Sequence, residues 1–147
     1  MTDRPSPIDP DFWTFPYQVA SRTMWGECRG EPLEGQAAVA HVLLNRLKDG
    51  RWGNSLATVC MWPFQFSCWN NSDPQRTKMA ALADDDETLA KLFAIIKNAE
   101  RAERDPTRGA MFYYADTLIV PPKWASSMSF VRKIGHHQFY CEREPVA

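Results

Sequence analysis

The sequence predicts one mainly α-helical α+β domain with a small β element near its C-terminus. Three observations lead there. Between residues 16 and 104, apolar positions recur at helical spacing in segments separated by Gly, Pro, Ser and Asp. After the turn-forming Asp105-Pro106-Thr107-Arg108-Gly109, the pattern changes to short aromatic runs at 110–114 and 134–140, which read as strands. Helices first and strands last is the order of an α+β domain, and 147 residues suffice for one core.

Taken in order, residues 1–15 read as a Pro-rich lead-in whose Phe12, Trp13 and Phe15 dock on the body, and residues 16–147 as a single domain. Over 16–29, Tyr17, Ala20, Met24 and Glu27 or Cys28 share one helical face, and Gly30 is the stop. Pro32 suits the first turn of the next helix, 33–47. That helix is apolar around nearly its whole circumference (Ala37 to Ala40, Val42 to Leu44, Leu47) and so is the expected centre of the core. Asn45, Arg46 and Lys48 complement its C-terminal dipole before Gly50. Ser55 caps a short helix over 56–61. The following loop carries Trp62, Phe64, Phe66 and Trp69 without helical or strand period; such loops fold back on the core or line a groove for a flat apolar ligand such as a sugar face. Helices follow over 75–82 and after Asp84-Asp85-Asp86. The second faces inward with Leu89, Leu92, Phe93 and Ile96 and carries Lys97, Glu100, Arg101 and Arg104 as a solvated face.

Composition removes several function classes. With 17 basic and 18 acidic residues the net charge is −1, so no basic excess points to nucleic acid. No run approaches a transmembrane span, and the N-terminus lacks the apolar core of a secretory signal. The protein is therefore expected to be made in the cytoplasm and to need another route for work outside it. Cys28, Cys60, Cys68 and Cys141 include no CxxC pair and are expected as buried thiols. Together with His41, His136 and His137 they match none of the common zinc spacings, so no metal or cofactor is expected.

Glu27 is the residue with chemical potential. It falls on the last turn of its helix, where the macrodipole opposes a negative charge and packing against Met24 or Trp25 would desolvate it. Both effects raise a carboxyl pKa. A Glu at about 4.3 is only about 0.2% protonated at neutral pH, whereas at about 6 it is about 10% protonated and serves as a proton donor. A solvated helix-end residue is the plainer reading of the local pattern.

An ordered set of motifs runs through the chain: 20–32 (ASRTMWGECRGEP), Glu34-Gly35-Gln36-Ala37-Ala38-Val39-Ala40, Asn45-Arg46, Gln65-Phe66-Ser67, Gly109-Ala110 with Tyr113-Tyr114, Trp124, and Ile134-Gly135 with His137, Phe139 and Tyr140. Together these resemble the SleB-type cell wall hydrolases, the catalytic domain of spore cortex-lytic enzymes and their phage and bacterial relatives. They cover roughly residues 18–140. The resemblance implies a lysozyme-like, lytic-transglycosylase-like catalytic domain that cleaves the N-acetylmuramic acid–N-acetylglucosamine linkage of peptidoglycan, with Glu27 as its acid. Cys28 stands where the family commonly has Ala, which would make activity sensitive to thiol modification.

Hydrolysis of a glycoside normally uses two carboxylates, whereas a lytic transglycosylase uses one. Glu31, Glu34 and Asp116 are the nearby candidates for a second. Glu31, on the connection into the central helix, is expected to cap or to pair with Arg29 or Arg46, so the single-acid mechanism is favoured. One of Tyr113 and Tyr114 faces the cleft, because neighbours alternate across a strand. Gln65, Phe66 and Ser67 are candidates for N-acetyl and hydroxyl recognition or for stabilising their loop, and Trp69 and Trp124 for stacking on saccharide rings or for the core. His137 ties its strand to the Glu27 helix or borders the site, and His136 is exposed. The expected partner is the peptidoglycan glycan strand, met by a monomer, without nucleic acid or membrane insertion. The setting that fits is a phage or prophage endolysin reaching the wall by holin-type or lytic release. Open alternatives are a muramidase with a second carboxylate, a zinc amidase, and a non-enzymatic peptidoglycan-binding or virion structural module.

Overall fold

The computed structural model describes residues 9–142. Five helices precede a three-stranded antiparallel sheet: α1 (Phe15–Cys28), α2 (Leu33–Asp49), α3 (Leu56–Met61), α4 (Pro74–Ala81), α5 (Glu87–Arg101), then β1 (Phe112–Ala115), β2 (Ser129–Ile134) and β3 (His137–Cys141), in the spatial order β1-β3-β2. Short 3₁₀ turns lie at Pro10–Trp13, Ser67–Trp69 and Lys123–Ser127. The part of the lead-in before Asp9, and with it the expected lack of a signal segment, lies outside the described residues.

Local chemistry sets these boundaries. Asp86 accepts from the backbone N–H of Thr88 (2.9 Å) and Leu89 (3.1 Å), so one member of the acidic cluster caps α5. Asp73 caps α4 through the Gln75 N–H, with Pro74 following it, and Ser55 and Thr58 form a reciprocal capping box on α3. α2 ends where the Gly50 N–H returns to the Arg46 carbonyl.

α1 packs against all four other helices, and α2 packs against α1, α3, α5 and β2. Their facing residues, Val19, Ala20 and Met24 with Ala38 to Ala40, Val42 and Leu43, form the middle of the core, as the apolar α2 stripe predicts. The four cysteines are free and buried.

Three local expectations change. Residues 134–140 are not one strand: Gly135 (φ +60°) and His136 turn the chain between β2 and β3. A Cβ on Gly135 would lie 2.5 Å from Glu31 Oε1, so the turn needs glycine for both conformation and space. β2 before Ile134 lacked a sequence signal. Second, Lys97 is not on a freely solvated face. Its Nζ lies 3.1 Å from Asp11, 3.5 Å from Asp9 and 3.3 Å from Glu100, tying α5 to the Pro10–Trp13 turn, while Tyr17 Oη also bonds Glu100. Third, of the three lead-in aromatics only Phe12 is buried, against Phe93; Trp13 and Phe15 are exposed.

Candidate active site

The α1 helix ends at Cys28, so Glu27 lies in its last turn. The Tyr113 phenol, from β1, donates to Glu27 Oε1 at 2.7 Å, and the Cys68 thiol stands close enough to the same carboxylate to favour its charged form. This approach requires Gly26: a Cβ there would sit 2.7 Å from Met79 Sδ and 2.8 Å from Cys68 Cβ. Burial pushes the Glu27 carboxyl above its ordinary value; the bond from Tyr113, the Cys68 thiol and the Arg46 charge pull the other way without cancelling it. Burial, reinforced by the neighbouring Glu27 charge, also holds the Tyr113 phenol well above its usual range, so it remains a donor. A depression of about 310 Å³, lined by the run from Gly26 to Glu31, opens beside the acid.

β1 alternates as expected, and the structure selects Tyr113. Tyr113 meets Glu27, and its ring packs on Phe139, its register partner on β3, and on His137, the partner of Ala115. Tyr114 points to the opposite face, stacked on Tyr140 (5.6 Å between ring centroids) beside Trp124. Trp124 also packs on Phe112 and Tyr140, which places it in that second aromatic cluster. His137 is 7% exposed, and its ring centroid is 4.8 Å from that of Tyr113. Its Nδ1 has no hydrogen-bond partner and stands 3.7 Å from Glu31 Oε1.

Glu31 differs from expectation. It pairs with neither Arg29 nor Arg46; its Oε1 accepts from the His136 backbone N–H (2.6 Å) and its Oε2 contacts His136 Nδ1 (2.8 Å). Burial would raise this carboxyl, but the His136 bonds outweigh it and leave Glu31 below its ordinary value. The β2–β3 turn is thereby fastened to the α1–α2 connection. His136 is exposed, and bonding to Glu31 raises its pKa.

The aromatic loop folds against the same end of α1. Gln65 Oε1 accepts from Arg46 Nη1 at 3.1 Å, Phe66 is buried with its ring beneath the Arg46 guanidinium, Ser67 is exposed, and Trp69 Nε1 donates to Thr23 Oγ1 at 2.8 Å. Phe66 and Trp69 thus brace the loop, and Gln65 and Ser67 are polar members of it flanking Phe66.

Two residues here escaped the sequence reading of roles. Arg46 is 4% exposed, donates from Nε to the Met111 carbonyl at 2.8 Å, and is surrounded by Trp52, Phe66 and Phe112. Burial lowers its pKa to about 10, still charged at neutral pH. A cation near the end of an otherwise apolar helix was the available signal. Cys68 had none. Cys28, expected to confer thiol sensitivity, is 3% exposed, and burial drives its thiol pKa strongly upward, so it is neither accessible nor reactive. Among the described residues no group of three or more His, Cys, Asp or Glu side chains is arranged to hold a metal ion, and no helix is long and apolar enough to cross a membrane.

A helical body, a small C-terminal sheet and a part-buried carboxylic acid at the end of a core helix define a lysozyme-like domain. The chain belongs to the cell wall hydrolase family, of SleB type: the family model described as Cell Wall Hydrolase matches residues 30–140, beginning just after Glu27. It is 31% identical over 130 residues to the spore cortex-lytic enzyme of Bacillus subtilis and 32% identical over 123 residues to that of Bacillus cereus. Those matches cover 85% and 83% of this chain but 37% and 42% of the relatives, so the chain spans roughly two fifths of their length. The catalytic domain of the germination-specific lytic transglycosylase SleB from Bacillus anthracis superposes with a TM-score of 0.67 at 28% identity, covering 93% of this chain and 99% of that one. The catalytic domain of Bacillus cereus SleB gives 0.68 at 28% identity, covering 96% and 98%.

Proposed function

We propose that this domain is a peptidoglycan glycosidase that cuts the N-acetylmuramic acid–N-acetylglucosamine linkage as a lytic transglycosylase, with Glu27 as sole general acid and base. The observation that carries the reading is the Glu27 carboxyl itself, raised by burial, held by Tyr113 and bordering an open depression. In this mechanism the protonated Glu27 gives its proton to the glycosidic oxygen as the C1–O bond breaks. The resulting carboxylate, stabilised by the Tyr113 O–H, takes the proton of the substrate's own C6 hydroxyl. O6 then bonds C1, closing a 1,6-anhydro ring, and no water is consumed. Support for one acid rather than two comes from the other carboxylates: Glu31 is bonded through both oxygens to His136, and Asp116 pairs with Lys133 Nζ at 2.9 Å.

Gln65 and Ser67 are proposed to contact the N-acetyl and hydroxyl groups of the substrate, with His137 beside Tyr113 on the cleft side of the sheet and Tyr114 and Trp124 backing the sheet from its other face. We propose residues 16–147 as the catalytic domain and residues 1–15 as its lead-in. For its setting we propose a phage or prophage endolysin, working as a monomer on glycan strands after holin-type release.

A muramidase reading has one observation in its favour, that Glu31 borders the same depression as Glu27. Product analysis separates the two. Mass spectrometry of digested peptidoglycan should show muropeptides ending in 1,6-anhydromuramic acid, each one water lighter than its hydrolysed counterpart. Ends that borohydride reduces completely, with no anhydro species, would instead assign a water-activating carboxylate.

A further inference from the structure

The loop after α3 contains a residue that the mechanism above leaves unused. The Gln65 N–H donates to the Trp62 carbonyl at 3.2 Å, closing a four-residue turn with Pro63 second and Phe64 third. Phe64 has φ +63°. A third position with positive φ after Pro belongs to Gly or Asn, which adopt it easily, whereas a bulky side chain is strained there. Burial does not compensate for that strain, because Phe64 is 90% exposed. Trp62 beside it is 42% exposed. The next residues are firmly held: Gln65 by Arg46, Phe66 in the core, and Cys68 buried against Gly26, next to Glu27. Four residues of chain span at most about 14 Å, so the Phe64 backbone stands within that distance of the Cys68 backbone.

We propose that Phe64 is a saccharide-stacking contact that receives a pyranose ring of the glycan strand on the flank of the Glu27 site. The proposal rests on the glycosidase reading for the nature of its ligand. A flat aromatic face matches the apolar C–H face of a sugar while leaving the hydroxyl groups solvated. Its exposure in a strained turn on an anchored loop is the arrangement of a ligand contact rather than of a packing residue.

Binding to purified, insoluble peptidoglycan sacculi tests this, measured by co-sedimentation in a Glu27→Gln background so that the wall stays intact. Adding Phe64→Gly should raise the apparent Kd about tenfold. Phe64→Leu, apolar but without a flat ring, should weaken binding similarly, and Phe64→Trp should stay within about twofold. The thermal midpoint of Phe64→Gly should not fall, because glycine accepts this φ freely; a merely structural Phe64 would give a lower midpoint and unchanged binding. The proposal is overturned if Phe64→Gly or Phe64→Leu binds within about twofold of the Phe64 protein, or if the Phe64 protein does not bind sacculi. Failure of the glycosidase reading would look different: products without a cleaved glycosidic bond, whatever the binding comparison shows.

Discussion

Glu27→Gln should leave a folded protein that no longer clears a peptidoglycan suspension. The amide has nearly the same shape and its oxygen still accepts from Tyr113, which donates at 2.7 Å, but it has no carboxyl proton to give. Loss of a general acid costs on the order of 10²–10⁴-fold in rate. Stability should move the other way. Burial raises the folded pKa of Glu27 above its unfolded value, so the native state favours the protonated form. Between the two pKa values stability falls as pH rises, and above the folded pKa the full penalty of a buried charge is present. The Gln variant carries no such charge, and its thermal midpoint at neutral pH should equal or exceed that of the wild type. A variant that keeps most of the clearing rate would remove Glu27 from the chemistry.

Arg46→Ala should be the most destabilising single change in the site region. The guanidinium joins three parts of the fold: α2, which bears it, the Met111 carbonyl leading into β1, and Gln65 of the aromatic loop. Truncation leaves both acceptors without their donor and opens a cavity among Trp52, Phe66 and Phe112. The combined cost is about 3 kcal/mol. For a domain of this size that corresponds to a midpoint lower by about 6–12 °C in a thermal melt. Arg46→Lys retains the charge but cannot reach both acceptors from one nitrogen, and about half the loss is expected. Lysis should fall in both variants, because Tyr113 and Gln65 depend on the same residue for their placement. A midpoint for Arg46→Ala within about 2 °C of wild type would contradict the role.

Much of this architecture is legible in the sequence because its signals are local. The α5 stripe of Leu89, Leu92, Phe93 and Ile96 is buried as its spacing predicts, Ser55 caps α3, and the Asp105 carboxylate closes the predicted turn by accepting from Thr107 and Gly109. The missed features depend on long-range partners. β2 carries Ser129, Arg132 and Lys133, so no apolar alternation marks it, and its register is broken by a bulge between Phe130 and Arg132. Glu31 meets the His136 turn across more than a hundred residues, which nothing near Glu31 announces. At the site, the position of Glu27 on a helix end is visible from periodicity, whereas its contact with Cys68 and the choice of Tyr113 over Tyr114 require the tertiary fold.

Burial in this fold raises the Glu27 carboxyl, so that it holds its proton to a higher pH than an ordinary carboxyl does. The direct measurement is a titration of its side-chain carboxyl carbon by NMR in protein labelled with ¹³C at glutamate, the resonance assigned by its absence from Glu27→Gln. The expected midpoint lies above the ordinary carboxyl value of about 4.3, and the clearing rate should fall as pH rises through it. A midpoint at or below the ordinary value would mean that Tyr113, Cys68 and Arg46 outweigh burial, and that Glu27 is not the proton donor.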